Sequence, residues 1–531
     1  MKNFLIKLDK FFDSHTTLWF FICLVIILRI PNFFEPYWYG DEGIYLTVGQ
    51  SIRGGEKLYT EIVDHKTPII YYLATVPNQF YFRVLLLVWM VVSTALVYSL
   101  SRKFFKNKFL SWITLLLFVV FTTIPCFEGN IPNGELFVLG FVLAGLWLLS
   151  KTQYLAKLFF HQSQNEVKNF HPLIFLAGLF LGLGFLTKVP ALTDFAAVLL
   201  IPWFIFSTSL LPVSQVSLKK IVDLIKNLVV SWLPLILGFF LIVGVSIAYF
   251  VIIGSGKDYL QFGLLYNLHY TQTWQLDLGS KLLNFAFSMM GKTLILAIIL
   301  VASTLIKNLS TKLKFFLGWS ALSIYAVLLS NRPYPHYFIQ AVLPLSFLIT
   351  NIVEDVIRGL KTRFYLKQAV WSLGSGIVLL SLGWSIFTTL NFKPYSTNKY
   401  YSNFYQLATG ELTQENYYLT FNELMTDNYQ LAKFLKQAQT KNLFIWGTNP
   451  MLYALSQTIP VGRFTVAFHI QDLGVYDETF QAVTDLKPKY IVVMNDAPAF
   501  EKLDYYLDEL YLPNFSYKYM TLYKRIGTTT D

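Results

Sequence analysis

Charged side chains are scarce in this sequence. Asp, Glu, Lys and Arg make up only 14% of its 531 residues, whereas about a quarter of the residues are charged in a typical soluble domain. Hydrophobic residues account for 55% of the chain. Because so few charges cannot cover the surface of a soluble protein of this length, a set of soluble domains is excluded. Most of the surface must face lipid, as in a protein that crosses the membrane several times.

Cysteine is almost absent, and the chain shows no bias toward glycine or proline. Its two cysteines, Cys23 in an apolar run and Cys126 beside a short loop, give no reason to expect a disulfide. The 29 glycines and 20 prolines exclude collagen-like and disordered classes. No G-x-G-x-x-G fingerprint is present, and Gly447 alone follows a predicted strand, so no nucleotide site is predicted.

Long apolar runs recur along the first three quarters of the chain, near the length of about 20 residues that a helix needs to cross a bilayer. Their boundaries carry an uncertainty of several residues, so the pattern is compatible with ten to thirteen spans. The first run has no small-residue cleavage site behind it and is interpreted as a retained signal-anchor helix. The eleven predicted spans are 16–31, 82–100, 109–125, 134–150, 172–188, 191–211, 228–253, 281–305, 315–330, 338–353 and 369–390.

Basic residues are distributed unequally between the two sets of loops. The segments on the side of the N-terminus carry 20 Lys and Arg residues, whereas the opposite loops carry 7. Because basic residues accumulate on the cytoplasmic side, we expect a cytoplasmic N-terminus and, with an odd number of spans, an extracytoplasmic C-terminus. The net charge of +11 is then mainly a signal of topology in a multi-pass cell-membrane protein, and no nucleic-acid partner is expected.

The chain from about residue 391 onward is polar enough to lie in water. Helical patterns at 429–437, 478–486 and 500–510 alternate with strand patterns at 443–446, 490–494 and 517–523. Such alternation is typical of an α/β domain. The predicted fold is therefore a polytopic α-helical membrane domain over residues 1–390, with about 11 transmembrane helices, followed by a small extracytoplasmic α/β domain over residues 391–531.

The first external loop, about 32–81, carries acidic and basic residues next to the first span. Asp41 and Glu42 are adjacent carboxylates at the membrane surface, where charge is costly unless it is paired, hydrated or used. They could simply favour the positive end of a helix that begins there. However, Asp64 and Lys66 follow in the same loop. Lys66 suits the binding of a phosphate as a compact charge, and a carboxylate can accept the proton of an attacking hydroxyl.

Motifs in five regions, in the order of the chain, resemble those of a known family. The runs Gly40–Tyr45, Gly54–Tyr59 and Asp64–Pro68 resemble the first external loop of GT-C glycosyltransferases, within which they are most similar to the bacterial group that includes aminoarabinose transferases and relatives of protein O-mannosyltransferases. Further matches over the membrane region are Arg83, Asn133–Glu135, Gly182–Lys188, and Arg332–Tyr337 with Pro344. The chain departs from this group after Lys66, where proline comes only at the second position, and the tail is similar only around Phe444–Pro450. Sugar and acceptor specificity are therefore not implied.

The resemblance implies a GT-C-like membrane enzyme that moves a sugar from a polyprenyl-phosphate donor to a lipid, glycan or protein acceptor on the outer face of the cell membrane, with inversion. A sugar activated by its single phosphate needs no soluble nucleotide, which agrees with the missing fingerprint. The expected site residues are Asp41 as general base and Glu42 as its catalytic neighbour, then Lys66, Lys188, Arg332 and His336 on the donor phosphate, and Tyr45, Asp64 and Glu135 on the acceptor or substrate. No cofactor is expected, and a divalent cation held by Asp41 and Glu42 is the alternative.

Other interpretations stay open for single residues and for the whole chain. His336 could pack at the interface, Lys188 could extend to the lipid head groups, and Asp194 could cap a helix or pair with Lys188. The alternative function is a transporter of a lipid-linked sugar or another solute, although transporters often show repeated halves and no repeat is visible in this sequence. A membrane-anchored binding protein is disfavoured because the strongest motifs lie outside the tail. The predicted topology favours a shared external site, because it places one set of polar residues on a single face: Asp41, Lys66, Glu128, Glu135, Lys188, Arg332 and His336.

Overall fold

The computed structural model describes residues 14–152, 154, 171–209, 218–271, 274 and 276–527. Five lysines that contribute to the predicted cytoplasmic charge lie outside these residues, namely Lys2, Lys7, Lys10, Lys157 and Lys168.

Helices make up nearly all of the regular structure before residue 390. In chain order they are α1 (Ser14–Arg29), α2 (Gly40–Arg53), α3 (Ile69–Leu73), α4 (Gln79–Phe104), α5 (Lys108–Phe121), α6 (Gly134–Ser150), α7 (Pro172–Thr187), α8 (Leu192–Ser209), α9 (Leu218–Ile252), α10 (Gly256–Asp258), α11 (Tyr266–Tyr270), α12 (Lys281–Phe287), α13 (Met289–Leu305), α14 (Thr311–Val327), α15 (Ile339–Lys361) and α16 (Leu366–Thr389). A π-helical segment, Tyr259–Leu265, joins α10 to α11.

Each of the eleven predicted apolar runs is helical over most of its described residues, so the prediction of a mainly helical fold with several long apolar helices is confirmed. Five helices among the described residues are long and apolar enough to cross a bilayer, and α12 with α13 would make a sixth if that bent pair is one span. The shorter apolar helices include α5, α6 and α7. The number of eleven membrane crossings therefore stays a prediction.

The bend between α12 and α13 has a local cause. Ser288 has an extended backbone, which ends α12, and its side chain accepts a hydrogen bond from the Gly291 amide in the first turn of α13. Such a capping bond stabilises a helix N-terminus, and the two axes differ by 74°.

The C-terminal part folds into a five-stranded mixed sheet with helices around it. Its elements are α17 (Thr397–Thr409), α18 (Gln414–Leu419), α19 (Met425–Gln437), β1 (Asn442–Trp446), α20 (Pro450–Ser456), β2 (Ile459–Pro460), α21 (Ala467–Leu473), α22 (Tyr476–Leu486), β3 (Tyr490–Met494), α23 (Glu501–Leu510), β4 (Tyr511–Ser516) and β5 (Met520–Arg525). The strand order is β2-β1-β3-β5-β4. β1 pairs in parallel with β2 and β3, whereas β5 pairs antiparallel with β3 and β4.

The predicted strands at 443–446 and 490–494 are β1 and β3, and the three predicted helices are α19, α22 and α23. The single strand predicted at 517–523 is wrong in its bounds, because the chain forms a hairpin there from β4 and β5. A continuous apolar run predicts a buried strand, whereas β4 is exposed beyond Tyr511 and therefore gives no such signal.

The tail packs directly on the first loop. α20 lies against α2, where Thr47 donates a hydrogen bond to the Pro450 carbonyl (3.1 Å) and Gln50 donates to that of Thr458 (2.8 Å). Val63 forms a parallel bridge with Phe464. Buried side chains from both sides of residue 390 belong to one hydrophobic cluster. The tail is therefore in a position to shape whatever site the loop carries.

Candidate active site

A cavity of about 960 Å³ lies at one end of the membrane helices. α6 and α15 begin beside it and α7 ends beside it, so that polar residues from distant parts of the chain meet at the same end of the bundle. Six of the nine predicted site residues line it, namely Asp41, Lys66, Glu135, Lys188, Arg332 and His336. The structure thus brings together the residues that the sequence placed on one face.

Asp41 lies in the first turn of α2 at the cavity wall. Tyr39 at the N-cap makes no side-chain capping bond, so the acidic residues of the first turn are the local complement to the positive end of the helix. Lys66 Nζ lies 3.5 Å from Asp41 Oδ1, and the Tyr45 hydroxyl donates to Asp41 Oδ2 at 3.3 Å. A role in starting the helix and a role in the cavity are therefore compatible for Asp41.

Electrostatics keep the Asp41 carboxyl ionised. Burial alone would raise its pKa, but the Lys66 ammonium, followed by His336 and Lys188, lowers the pKa below its ordinary value. Conversely, burial would lower the pKa of Lys66, and the carboxylates of Asp41 and Asp64 raise it instead. At neutral pH this pair is a carboxylate that can accept a proton beside a permanent cation.

Asp64 supports Lys66 from behind the cavity wall. Its Oδ2 lies 3.5 Å from Lys66 Nζ and accepts a hydrogen bond from Tyr71, while Oδ1 faces His65 and His469. Burial would raise the pKa of Asp64, but Lys66 and His65 hold it well below its ordinary value. Asp64 is buried and outside the cavity lining, and so is Tyr45, which touches Asp41.

Glu128 and His336 form a second polar group on the cavity wall. Glu128 Oε2 lies 2.6 Å from His336 Nδ1 and accepts a hydrogen bond from the Tyr39 hydroxyl, which is itself 3.0 Å from His336 Nδ1. Glu128 has a φ of 58°, a left-handed conformation that is uncommon for residues other than glycine. The carboxylate of Glu128 thus contacts the residues just before α2 and α15, Tyr39 and His336.

Two further cations face the cavity from other elements. Lys188 forms an ion pair with Glu135, and its ammonium is 4.8 Å from the centre of the Tyr337 ring. The Arg332 guanidinium lies over the rings of Tyr270 (4.2 Å) and Trp274 (5.2 Å). With Lys66 and His336, these side chains line the cavity with four groups that can carry positive charge.

Glu42 does not share the position of Asp41 on the cavity wall. It is buried and accepts two hydrogen bonds from Arg83, at 2.9 and 2.8 Å, and one from Gln79 at 3.0 Å. It is absent from the described lining of the cavity. Asp194 does not pair with Lys188 as one interpretation had it, because its carboxylate accepts bonds from Trp319 and Gln340, both at 2.7 Å.

Sequence reasoning missed part of this site. His469 reaches the site from the tail, about 400 residues after Asp64 in the chain, and no local pattern marks it. Glu128 was assigned to the external face without a role. The Tyr270 and Trp274 rings, which lie against the Arg332 guanidinium, were also not predicted.

Comparison with known proteins shows the fold. No family model matches the chain, and no curated protein matches it. The apo crystal structure of ArnT from Cupriavidus metallidurans superposes with a TM-score of 0.51 at 12% identity, covering 95% of this chain and 97% of that one. The structure of the same ArnT bound to undecaprenyl phosphate gives a TM-score of 0.51 at 11% identity, covering 96% and 98%. The chain therefore shares the fold of ArnT over nearly its whole length.

Proposed function

We propose that this protein is a membrane glycosyltransferase that uses a polyprenyl-phosphate sugar as donor and a hydroxyl group as acceptor. The observation that carries the proposal is the pair formed by Asp41 and Lys66, a carboxylate and an ammonium 3.5 Å apart on the wall of a large cavity. A base beside an anion-binding cation is what transfer from a phosphate leaving group requires.

The cations supply a site for the donor phosphate. Lys66, Lys188, Arg332 and His336 line one cavity. The donor phosphate is a diester with one negative charge, and it gains a second charge as its bond to the sugar breaks. Positive charge placed where the phosphate leaves stabilises the transition state more than the ground state. The shared fold supports a polyprenyl phosphate as the lipid that carries the donor sugar, because one structure of ArnT holds undecaprenyl phosphate.

Asp41 is the group that accepts the proton. The acceptor oxygen attacks the anomeric carbon, its O–H bond breaks with the proton passing to the Asp41 carboxylate, and the carbon–oxygen bond to the phosphate breaks. The electron pair of that bond leaves with the phosphate, which stays on its lipid. Because attack and departure occur on opposite sides of the carbon, the reaction inverts the anomeric configuration.

The distribution of basic residues between the loops supports a cavity on the outer side of the membrane. With 20 basic residues in one set of loops and 7 in the other, the cavity lies on the extracytoplasmic face of the cell membrane, together with the C-terminal domain. The acceptor is then a lipid, glycan or protein outside the cytoplasm. A role in acceptor or substrate binding is proposed for Glu135, which lines the cavity. Tyr45 and Asp64 lie behind its wall, so their proposed part is to position Asp41 and Lys66.

The test separates transfer from transport. Purified protein in liposomes receives a labelled polyprenyl-phosphate sugar together with membrane acceptors, and the label is followed chemically. We expect free polyprenyl phosphate and a labelled acceptor with inverted linkage. Lys66→Met should abolish most of this transfer, whereas Lys57→Met, which changes an exposed lysine of the same loop, should not. Intact donor that only changes leaflet would refute the transferase and identify a transporter.

A further inference from the structure

Gln340 borders the cavity from the first turn of α15, one helical turn after His336. Its side chain belongs to the buried part of the cavity wall, since the residue is only 3% exposed. The amide nitrogen Nε2 lies within hydrogen-bond distance of three oxygen atoms, namely the Pro190 carbonyl (3.0 Å), Thr193 Oγ1 (3.3 Å) and Asp194 Oδ2 (2.7 Å). The nitrogen end of the amide is therefore anchored in the wall.

These partners fix which way round the amide sits. The nitrogen and oxygen of a carboxamide are told apart by their hydrogen-bond partners. The Pro190 carbonyl can only accept a hydrogen bond, and the Thr193 hydroxyl already donates its hydrogen to that carbonyl at 2.9 Å. A reversed amide would turn its oxygen toward these acceptors, so Nε2 must face the wall.

Asp194 makes the shortest of the three contacts with Nε2. It lies in the first turn of α8, is 2% exposed, and accepts a second hydrogen bond from Trp319 at 2.7 Å on its other oxygen. A carboxylate inside a membrane domain is costly, and such residues are typically functional. The effect of this one on the cavity is to hold the amide of Gln340 in a single orientation.

The amide oxygen of Gln340 is left as a hydrogen-bond acceptor at the cavity. No described residue donates a hydrogen bond to Oε1, because the printed bonds of this side chain all use Nε2. A phosphate diester has no hydrogen to donate, so Oε1 cannot bind the phosphate of the donor. A hydroxyl group can donate to it. Lys188 and His336, which are proposed to bind that phosphate, lie close to Pro190 and Gln340 in the chain, so the nearest hydroxyl groups belong to the attached sugar.

We infer that Gln340, oriented by Asp194, accepts a hydrogen bond from a hydroxyl group of the donor sugar. This inference rests on the proposed function and adds a division of labour within it. The cations of the cavity bind the phosphate, whereas Gln340 recognises the sugar. Gln340 contacts the substrate directly, and Asp194 is a positioning residue that acts through Gln340.

The experiment measures binding to the full-length protein in lipid nanodiscs, without any acceptor, so that no transfer takes place. The probes are undecaprenyl phosphate and its glucose, mannose, galactose and arabinose derivatives. Gln340→Met keeps the length of the side chain and removes the amide. We expect its affinity for the best-bound sugar derivative to fall by about 5–10-fold, which corresponds to one hydrogen bond. Its affinity for undecaprenyl phosphate should stay that of the wild type.

Gln437→Met is the matched control, because it changes an exposed glutamine of α19 that does not line the cavity. It should bind every probe like the wild type.

Asp194→Leu tests the positioning role. Leu has a similar shape and removes the carboxylate that holds Nε2. We expect a selective loss of affinity for the sugar derivative, and the double variant with Gln340→Met should bind no more weakly than Gln340→Met alone, because the two residues act through one contact. A merely structural role of Asp194 would weaken the binding of both kinds of lipid alike. If Gln340→Met does not fold, the selectivity of Asp194→Leu decides.

Two results would overturn the inference and leave the donor class intact. One is a sugar derivative that binds Gln340→Met as tightly as the wild type, and the other is an equal loss of affinity for undecaprenyl phosphate and its sugar derivative. Wild-type protein that binds none of the sugar derivatives would refute the proposed function, and the inference with it.

Discussion

The ammonium nitrogen of Lys66 lies 3.5 Å from Oδ1 of Asp41. The two residues come from opposite ends of the same loop, one in the first turn of α2 and the other just before α3. Each stabilises the charged form of the other in a buried place where either alone would be costly. On the proposed function, a donor phosphate bound to Lys66 would lie next to the carboxylate that we propose takes the proton from the acceptor.

The contact between Asp41 and Lys66 predicts how the transfer rate depends on pH. The pKa of Asp41 lies below its ordinary value of 3.8, so the wild-type rate should not fall on acidification until that carboxylate becomes protonated. Lys66→Met removes the nearest charge that lowers the pKa and leaves the burial that raises it. We expect the acidic limb of the rate profile of the variant to move to higher pH, in addition to weaker donor binding.

The measurement is the transfer rate as a function of pH for wild type, Lys66→Met and the exposed-lysine control Lys57→Met. The control should keep the wild-type acidic limb. An acidic limb that does not move in Lys66→Met would show that Lys66 does not control the ionisation of the base.

Glu42 should behave as a structural residue. Its carboxylate is buried against Arg83, and removing one member of such a pair costs about 3–5 kcal/mol. We expect Glu42→Gln to lower the thermal unfolding temperature strongly, whereas each folded molecule keeps a turnover close to that of the wild type. Full stability with a large loss of turnover would instead support the catalytic role that the sequence suggested.

Two glycines in the first turn of α2 offer a matched pair for testing how the tail docks. A Cβ added at Gly43 would lie 2.9 Å from the backbone nitrogen of Met451 in α20, whereas one added at Gly40 meets no atom within 4 Å. Gly43→Ala should therefore push the tail away from the loop, at a cost of about 1–3 kcal/mol. Gly40→Ala should be neutral.

Limited proteolysis and thermal unfolding report this difference. We expect Gly43→Ala to release the tail faster under protease and to lose transfer activity, while Gly40→Ala matches the wild type. Equal protease sensitivity of the two variants would mean that the contact between α2 and α20 does not hold the tail in place.

Much of the fold could be predicted from local pattern. Long apolar runs have few stable alternatives to helix, and each of the eleven runs is largely helical where it is described, although their number of membrane crossings stays a prediction. β1 and β3 are continuous apolar strands flanked by polar residues. The amphipathic helices α19, α22 and α23 are predicted by the helical period of their apolar residues. The exposed strand β4 and the short helices α20 and α21 carry no comparable period.

For the site, the sequence predicts on which side of the membrane a residue lies but not which residues it contacts. Charge distribution assigns Asp41, Lys66 and His336 to one face, and they line one cavity. Which residues touch is a matter of tertiary packing, so the pair of Glu42 with Arg83 could not be predicted as a contact. The approach of His469 to Asp64 depends on how the tail docks, which no sequence pattern encodes.

The predicted topology gives a prediction of its own. A reporter fused after Lys106 should lie in the cytoplasm and one fused after Asp531 outside it, since the loops of the predicted membrane domain carry 20 basic residues on one side and 7 on the other. The activity of alkaline phosphatase fusions and the fluorescence of green fluorescent protein fusions show on which side of the membrane each fusion point lies. A cytoplasmic C-terminus would place the cavity on the wrong face and would contradict an extracytoplasmic transferase.

The most direct test of the central claim is the turnover of Asp41→Asn. Asn preserves the shape of the side chain, but it cannot take up the proton. With saturating donor and acceptor, we predict a rate that falls by about 10²–10⁴-fold. The unfolding temperature should fall less than that of Glu42→Gln, because Asp64 still pairs with Lys66. Asp496→Asn in the exposed tail should keep the wild-type rate. A folded Asp41→Asn protein that transfers sugar at the wild-type rate would contradict the assignment of this cavity as the active site.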